Sequence, residues 1–229
     1  MIQLKNIVKS YHEADTRHTV LKNLDLEISQ GEIIVLLGKS GSGKSTLLNL
    51  ISGIDLPDSG SIRLRGQEIT GMSEKERTLF RRKHIGFVFQ FFNLMPTLTV
   101  AENLQLGLEL NGLPVNGKIS TILEQTGLLH KMNSYPDTLS GGEQQRIAIA
   151  RALIHEPEYI LADEPTGNLD YETSGRIVDL LDLLVRQTGK TMIMATHSPE
   201  VIGLADRVLT VKEGKINELD KEKLIVKAP

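Results

Sequence analysis

The sequence predicts an α/β fold: a mostly parallel sheet, with an N-terminal antiparallel β portion before it and a helical lobe inserted into it. Three observations predict this. Ile33-Ile34-Val35-Leu36-Leu37, Tyr159-Ile160-Leu161-Ala162 and Thr191-Met192-Ile193-Met194-Ala195 are continuous apolar runs, the pattern of strands buried on both faces. Between the second and third runs, Ile177, Val178, Leu180, Leu181, Leu184 and Val185 recur at helical spacing over Tyr171 to Thr188. A strand, helix, strand succession implies parallel pairing through a right-handed crossover. Finally, residues 91 to 155 hold helical stretches punctuated by Pro96, Gly107, Gly112, Pro114, Gly117 and Gly127, with no buried-strand run.

Taken in order, Ile2, Leu4 and Ile7 open the chain in strand fashion, and a polar loop spans His12 to Thr19. Asn23 to Ser29 alternates at period two, as a half-exposed antiparallel strand does. Gly31-Glu32 is a turn before the first buried strand. A glycine-rich loop and a helix from Lys44 to about Ser52 follow. The lobe holds helical candidates at Val100 to Leu110, Lys118 to Thr126 and Glu143 to His155. The tail from Lys212 reads as a charged hairpin and a surface end. The expected organisation is a single domain over 1–229, with 1–90 and 156–229 as the α/β core and 91–155 as the helical lobe.

Composition narrows the function classes. The 229 residues carry a formal net charge of -3 and no cysteine, so a disulfide framework and thiolate chemistry are excluded. A slightly acidic chain without a basic run, with 4% aromatics and no Trp, lacks the footprint of a nucleic-acid binder. No nucleic-acid partner is expected. The start is strand-like rather than a secretory signal. The longest apolar runs are about five residues, against the roughly 20 that a spanning helix needs. The chain is expected not to cross a membrane by itself.

Gly38-Lys39-Ser40-Gly41-Ser42-Gly43-Lys44-Ser45 fits G-x-x-x-x-G-K-[ST]. It follows a buried strand and opens a helix, as that motif requires. Glycines let the backbone N–H groups wrap a phosphate, and the helix N-terminus favours its charge. Lys44 would reach the outer phosphates and Ser45 would offer a hydroxyl to Mg²⁺. The expected core is therefore that of a P-loop NTPase.

Ligands of parallel sheets bind at the carboxyl ends of strands. The second buried run ends in Asp163-Glu164. Asp163 is placed to hold Mg²⁺ directly or through water, and Glu164 to orient or deprotonate an attacking water. The third run ends in Thr196-His197, where a neutral imidazole would contact a γ-phosphate or hold the attacking water. A second glycine cluster, Leu139-Ser140-Gly141-Gly142-Glu143-Gln144-Gln145-Arg146, precedes an apolar helix. Ser140 and Glu143 make a capping box. By physics alone this is either a well-capped helix or a second anion site serving a nucleotide on another subunit.

With these motifs in hand, the chain resembles the ATP-binding subunit of ABC transporters. Gly38 to Thr46 resembles the Walker A loop, and Gln90 after Gly86-Phe87-Val88-Phe89 the Q-loop glutamine. Leu139 to Gln144 resembles the signature, and Tyr159 to Glu164 Walker B with Glu164 as catalytic glutamate. Asn168-Leu169-Asp170 resembles the D-loop, His197 the switch histidine, and Tyr11 the aromatic that stacks on adenine. The finer likeness is to the branch of lipoprotein-release, macrolide-export and cell-division ATPases. It rests on Phe89-Gln90, Phe92-Asn93-Leu94, Pro96-Thr97-Leu98-Thr99, Glu164-Pro165-Thr166-Gly167-Asn168-Leu169-Asp170 and the stretch Leu139 to Arg146. Lys39 is a less usual filler of the loop, and Glu143 stands where the commonest signature has glutamine.

The resemblance implies ATP and Mg²⁺ as ligands and a head-to-tail dimer with a second copy. Each ATP would lie between Gly38, Ser40, Gly41, Ser42, Gly43, Lys44, Ser45 and Thr46 of one copy and Ser140, Gly141 and Gly142 of the other. Ser45, Gln90 and Asp163 would hold Mg²⁺; Glu164, His197 and Gln90 would serve hydrolysis; Asp170 would connect the two sites. A separate integral membrane permease is the implied partner, placing the chain at the cytoplasmic face of the membrane. Phe91, Phe92, Leu94 and Met95 would either receive a partner's helix or pack the lobe's own core. The alternative function is an ABC ATPase that drives a membrane partner in cell division or signalling without moving cargo.

Overall fold

The structure, a computed structural model, describes residues 1–13 and 16–225. In chain order the elements begin with β1 (Ile2–Glu13), β2 (Thr16–Ile28), β3 (Ile33–Leu37), α1 (Lys44–Ile51), β4 (Ser59–Leu64), β5 (Gln67–Glu68), α2 (Glu74–His84) and β6 (Ile85–Val88). The lobe region follows with α3 (Val100–Leu110), α4 (Lys118–Gln125) and α5 (Gly141–Leu153). The chain continues with β7 (Tyr159–Asp163), α6 (Tyr171–Gln187), β8 (Thr191–Thr196), β9 (Arg207–Lys212), β10 (Lys215–Leu219) and α7 (Lys221–Ile225). Two compact units emerge: Met1–Arg81 with Thr191–Pro229, and Arg82–Lys190.

In the first unit, β3 pairs in parallel with β8 on one side and β9 on the other, and β10 closes an antiparallel hairpin onto β9. Ile33, Ile34, Val35, Leu36 and every residue of β8 are buried, which is why these runs lack polar alternation. A second, antiparallel sheet runs β2-β1-β4-β5. Leu24, Leu26 and Ile28 bury alternate positions of β2. In the second unit, β6 pairs in parallel with β7, matching Val88 to Ala162. The apolar stripe Ile177, Val178, Leu181, Leu184 and Val185 buries one face of α6.

Several elements depart from the sequence patterns. The polar stretch His12 to Thr19 is ribbon rather than loop, apart from Ala14 and Asp15, which lie outside the described residues. Its side chains there are mostly exposed, so no alternation announces it. The lobe helix α5 starts at Gly141, two residues before Glu143, because Ser140 is its N-cap. The elements β4, β5, α2 and β6 carry little pattern: α2 buries only Phe80, and β4 only Ile62 and Leu64. The tail hairpin begins at Arg207 and turns at Glu213 and Gly214, both with positive φ. Residues 226–229 of that tail lie outside the described residues.

Candidate active site

In the first unit the chain leaves buried β3 at Gly38, whose N–H donates to Thr196 O at 3.1 Å. The loop is thereby tied to the end of β8, one residue before His197, which is exposed. Gly41 and Gly43 have φ of 78° and 103°. A Cβ on Gly43 would stand 2.8 Å from Val20 Cγ1, so both backbone and space demand glycine. Gly43 opens α1 with no side-chain cap and no acid in the first turn. The side chains of Thr99, Ser140 and Asp170 cap α3, α5 and α6.

An uncapped helix start offers its N–H donors and its field to an anion. Lys44 is 5% exposed, and its Nζ donates to Gly38 O at 2.8 Å and Lys39 O at 3.1 Å. The ammonium is bent over the loop. Ser42 Oγ is buried without a partner. Orphan hydroxyl, bent lysine and uncapped helix fit a polyphosphate. Ser40 and Ser45 are exposed, and a cavity of about 570 Å³ flanks the loop between His18, Val20, Lys39 and Thr210.

Tyr11, 38% exposed, is held at its hydroxyl. It donates to Asp55 Oδ2 at 2.9 Å and hydrogen-bonds the Thr46 side chain. Lys9 Nζ lies 5.0 Å from the ring centroid and pairs with Asp55 Oδ1 at 2.7 Å. Burial and the adjacent Asp55 raise the phenol above its ordinary value. Burial also acts to raise Asp55, but hydrogen bonds from Lys9, Tyr11 and the Leu56 N–H outweigh it and hold that carboxyl low. The helix whose first turn faces the phosphate loop thus also leads, through Asp55, to the ring of Tyr11.

In the second unit, the parallel register of Val88 with Ala162 makes Gln90 and Glu164 leave neighbouring strands at the same end. Glu164 has φ 46°, a left-handed conformation that is strained for a non-glycine residue and typical of functional positions. Gly167 N–H donates back to Glu164 O at 3.0 Å. Asn168 Nδ2 donates to Gln90 O at 3.0 Å, and a Cβ on Gly167 would fall 2.8 Å from Gln90 Nε2. Gln90, Glu164 and the loop to Asp170 therefore form one assembly.

The second glycine cluster has its capping box. Glu143 N–H donates to Ser140 Oγ at 3.3 Å, and Glu143 Oε2 accepts from Ser140 N at 2.8 Å and Oγ at 2.9 Å. The Ser140 N–H chiefly holds the Glu143 carboxyl below its ordinary value. A Cβ on Gly142 would meet Thr173 Cγ2 at 2.6 Å, so glycine lets the starts of α5 and α6 approach. Asp170 caps α6 by accepting from Thr173 N at 2.9 Å. These helix starts border a polar cavity of about 480 Å³ that Arg146 and Arg176 also line, and Arg146 Nε is buried without a partner.

Of the residues read from sequence, the first unit gathers Tyr11, Gly38 to Thr46 and His197. The second gathers Gln90, Asp163, Glu164, Ser140, Gly141, Gly142 and Asp170. Sequence patterns missed Asp55, Lys9 and Gln145. Gln145 alone left a usable signal: a polar residue two positions before the apolar stretch that begins at Ile147, on a helix whose core face it shares.

The family described as ABC transporter matches residues 21–167. The chain belongs to the ABC transporter family. An uncharacterised ABC transporter ATP-binding protein of Mycobacterium tuberculosis (strain ATCC 25618 / H37Rv) is 51% identical over 219 residues, covering 94% of this chain and 88% of that one. The lipoprotein-releasing system ATP-binding protein LolD of Legionella pneumophila (strain Lens) is 43% identical over 215 residues, covering 93% and 95%. The dimeric post-hydrolysis structure of the ATP-binding cassette MJ0796, bound to ADP and Pi, matches with a TM-score of 0.88 at 39% identity, covering 96% of this chain and 99% of that one. The cassette is thus an ABC-type ATPase related to the lipoprotein-release branch. Among the described residues no helix is long and apolar enough to cross a membrane.

Proposed function

We propose that this cassette binds and hydrolyses ATP as a head-to-tail dimer and drives a separate membrane permease of the export or lipoprotein-extrusion type, at the cytoplasmic face of the membrane. The observation that carries the reading is the start of α1, which joins an uncapped N-terminus to a bent lysine and an orphan buried hydroxyl. Gly38 to Thr46 cradle the triphosphate and Tyr11 stacks on the base. Ser140, Gly141 and Gly142 of the second copy close on the γ-phosphate, and Asp170 relays between the two sites. The ADP- and Pi-bound dimer of the similar cassette supports this arrangement.

Among the described residues no group of three or more His, Cys, Asp or Glu is placed to hold a metal. Ser45, Gln90 and Asp163 are oxygen donors that suit Mg²⁺, which takes few protein ligands and completes its shell with phosphate and water. When bound, Mg²⁺ neutralises charge on the phosphates. Glu164 then takes the proton of the attacking water, and His197 holds the γ-phosphate side. Residues 91–155 act as the lobe that meets the permease. Phe91 at 68% exposure and Met95 offer apolar surface there, while Phe92 and Leu94 are half-buried.

Glu164→Gln tests the reading. ATP binding should persist, hydrolysis should fall by at least about 100-fold, as loss of a general base does, and an ATP-dependent dimer should accumulate in size-exclusion chromatography. Normal turnover in that variant removes the general base, and purification of the native complex without an integral membrane subunit removes the permease.

A further inference from the structure

Gln145 is 0% exposed and lies on the buried face of α5 among Ile147, Ala148 and Ile149. Apolar residues occupy such positions unless a polar group is required. Its Nε2 donates to Pro165 O at 2.6 Å and approaches Phe89 O at 3.4 Å. Its Oε1 is buried with no partner. A buried acceptor without a donor is unfavourable, so the half-satisfied amide is not there for stability. Its donor meets two carbonyls that flank chemistry. Phe89 precedes Gln90, and Pro165 follows the left-handed Glu164.

We infer that Gln145 is a positioning residue for hydrolysis. It ties the signature helix to the backbone on either side of the Q-loop and the catalytic carboxylate, and so holds Glu164 in its strained conformation. Proline has no N–H of its own to anchor that stretch, which leaves its carbonyl as the available handle. A rotation of α5 on engaging the second copy's nucleotide would be passed by this amide to Glu164 and Gln90 together. The inference rests on Glu164 acting as general base.

Gln145→Met and Gln145→Leu, which keep most of the volume and remove the amide, test it in the full chain. Both variants should keep the wild-type Kd for ATP within about twofold and stay folded at the assay temperature, melting a few degrees lower because the Pro165 carbonyl loses its donor. Their kcat should fall about tenfold, a loss of roughly 1.4 kcal/mol in the transition state. In the Glu164→Gln background the same substitutions should change single-turnover hydrolysis by less than twofold, because the group they act through is gone. An unchanged kcat overturns the inference. So does a fall that tracks the unfolded fraction in both variants, or an undiminished further loss in the Glu164→Gln background. Normal turnover by Glu164→Gln alone would instead remove the general-base reading on which the inference stands.

Discussion

Ser140 carries two tasks that a pair of substitutions separates. Its Oγ accepts the Glu143 N–H and donates to the Glu143 carboxylate, and on the proposed function it also meets the γ-phosphate of the second copy. Ser140→Ala removes the hydroxyl but leaves the backbone N–H on Glu143 Oε2, so half of the capping box survives. Cap losses run about 0.5–2 kcal/mol; a half-kept box points to about 1 kcal/mol. For a chain of this size that lowers the melting temperature by about 2–4 °C. Hydrolysis should fall much further, because a lost charge-assisted hydrogen bond to phosphate is worth about 1.5–3 kcal/mol, or roughly 10- to 150-fold. Ser140→Asn restores a good cap with the wrong shape for the phosphate. Melting followed by circular dichroism and ATPase rates on all three proteins settle the matter. If Ser140→Asn recovers both stability and turnover, the serine is only a cap and the composite site is wrong.

Lys44→Ala should weaken ATP binding by at least about tenfold, read by isothermal titration, since it removes a charge-assisted phosphate contact worth about 1.5–3 kcal/mol; unchanged binding would remove the phosphate-loop reading. Tyr11→Ala should cost ATP about 1–3 kcal/mol of stacking and leave inorganic tripolyphosphate binding intact, with equal losses for both ligands counting against the base platform. Backbone N–H groups chiefly hold the carboxyls of Glu102, Glu143 and Asp170 below their ordinary values. The unfolded chain then takes up protons first as pH falls, so this stability is full near neutrality and is lost through and below the ordinary carboxylate range. A melting temperature that stays flat between about pH 7 and about pH 3, which brackets the ordinary carboxylate pKa values, contradicts the capping geometry.

The three buried strands were legible because burial on both faces removes polar alternation, leaving runs such as Ile33 to Leu37. The glycine-rich loop after β3 was legible because its glycines fall at fixed steps between a buried strand and a helix, and Gly41 and Gly43 adopt the positive φ that favours glycine. The ribbon of β1 and β2 over His12 to Thr19 was not, since an exposed two-stranded ribbon has no core face to pattern. Nor was α2, with Phe80 as its one buried side chain. At the site, local motifs were readable and long-range partners were not. Tyr11 was visible as an aromatic in place. Asp55, 44 positions later, holds its hydroxyl, and no spacing rule connects the two. Gln145 likewise reaches 56 and 20 positions along the chain.

The helix starts show how one piece of physics serves opposite ends. Gly117 opens α4 in the same left-handed conformation as Gly43 opens α1, and both lack a side-chain cap. An uncapped glycine start is therefore not enough to make a phosphate site. What sets α1 apart is what surrounds it: a buried strand aimed at it, Lys44 bent over the loop, and Ser42 Oγ with nothing to bond. The start of α5 is the reverse case, with Ser140 and Glu143 already engaged with one another. A phosphate arriving there finds a satisfied helix and a carboxylate of its own sign. Arg146, Arg176 and Lys131, whose Nζ lies 3.7 Å from Glu143 Oε1, supply the opposing charge. On the proposed function, the start of α5 adds its contacts to a nucleotide already held by α1 of another copy. On the same proposal, that asymmetry makes ATP the bridge between copies, and removal of the γ-phosphate would be enough to loosen them.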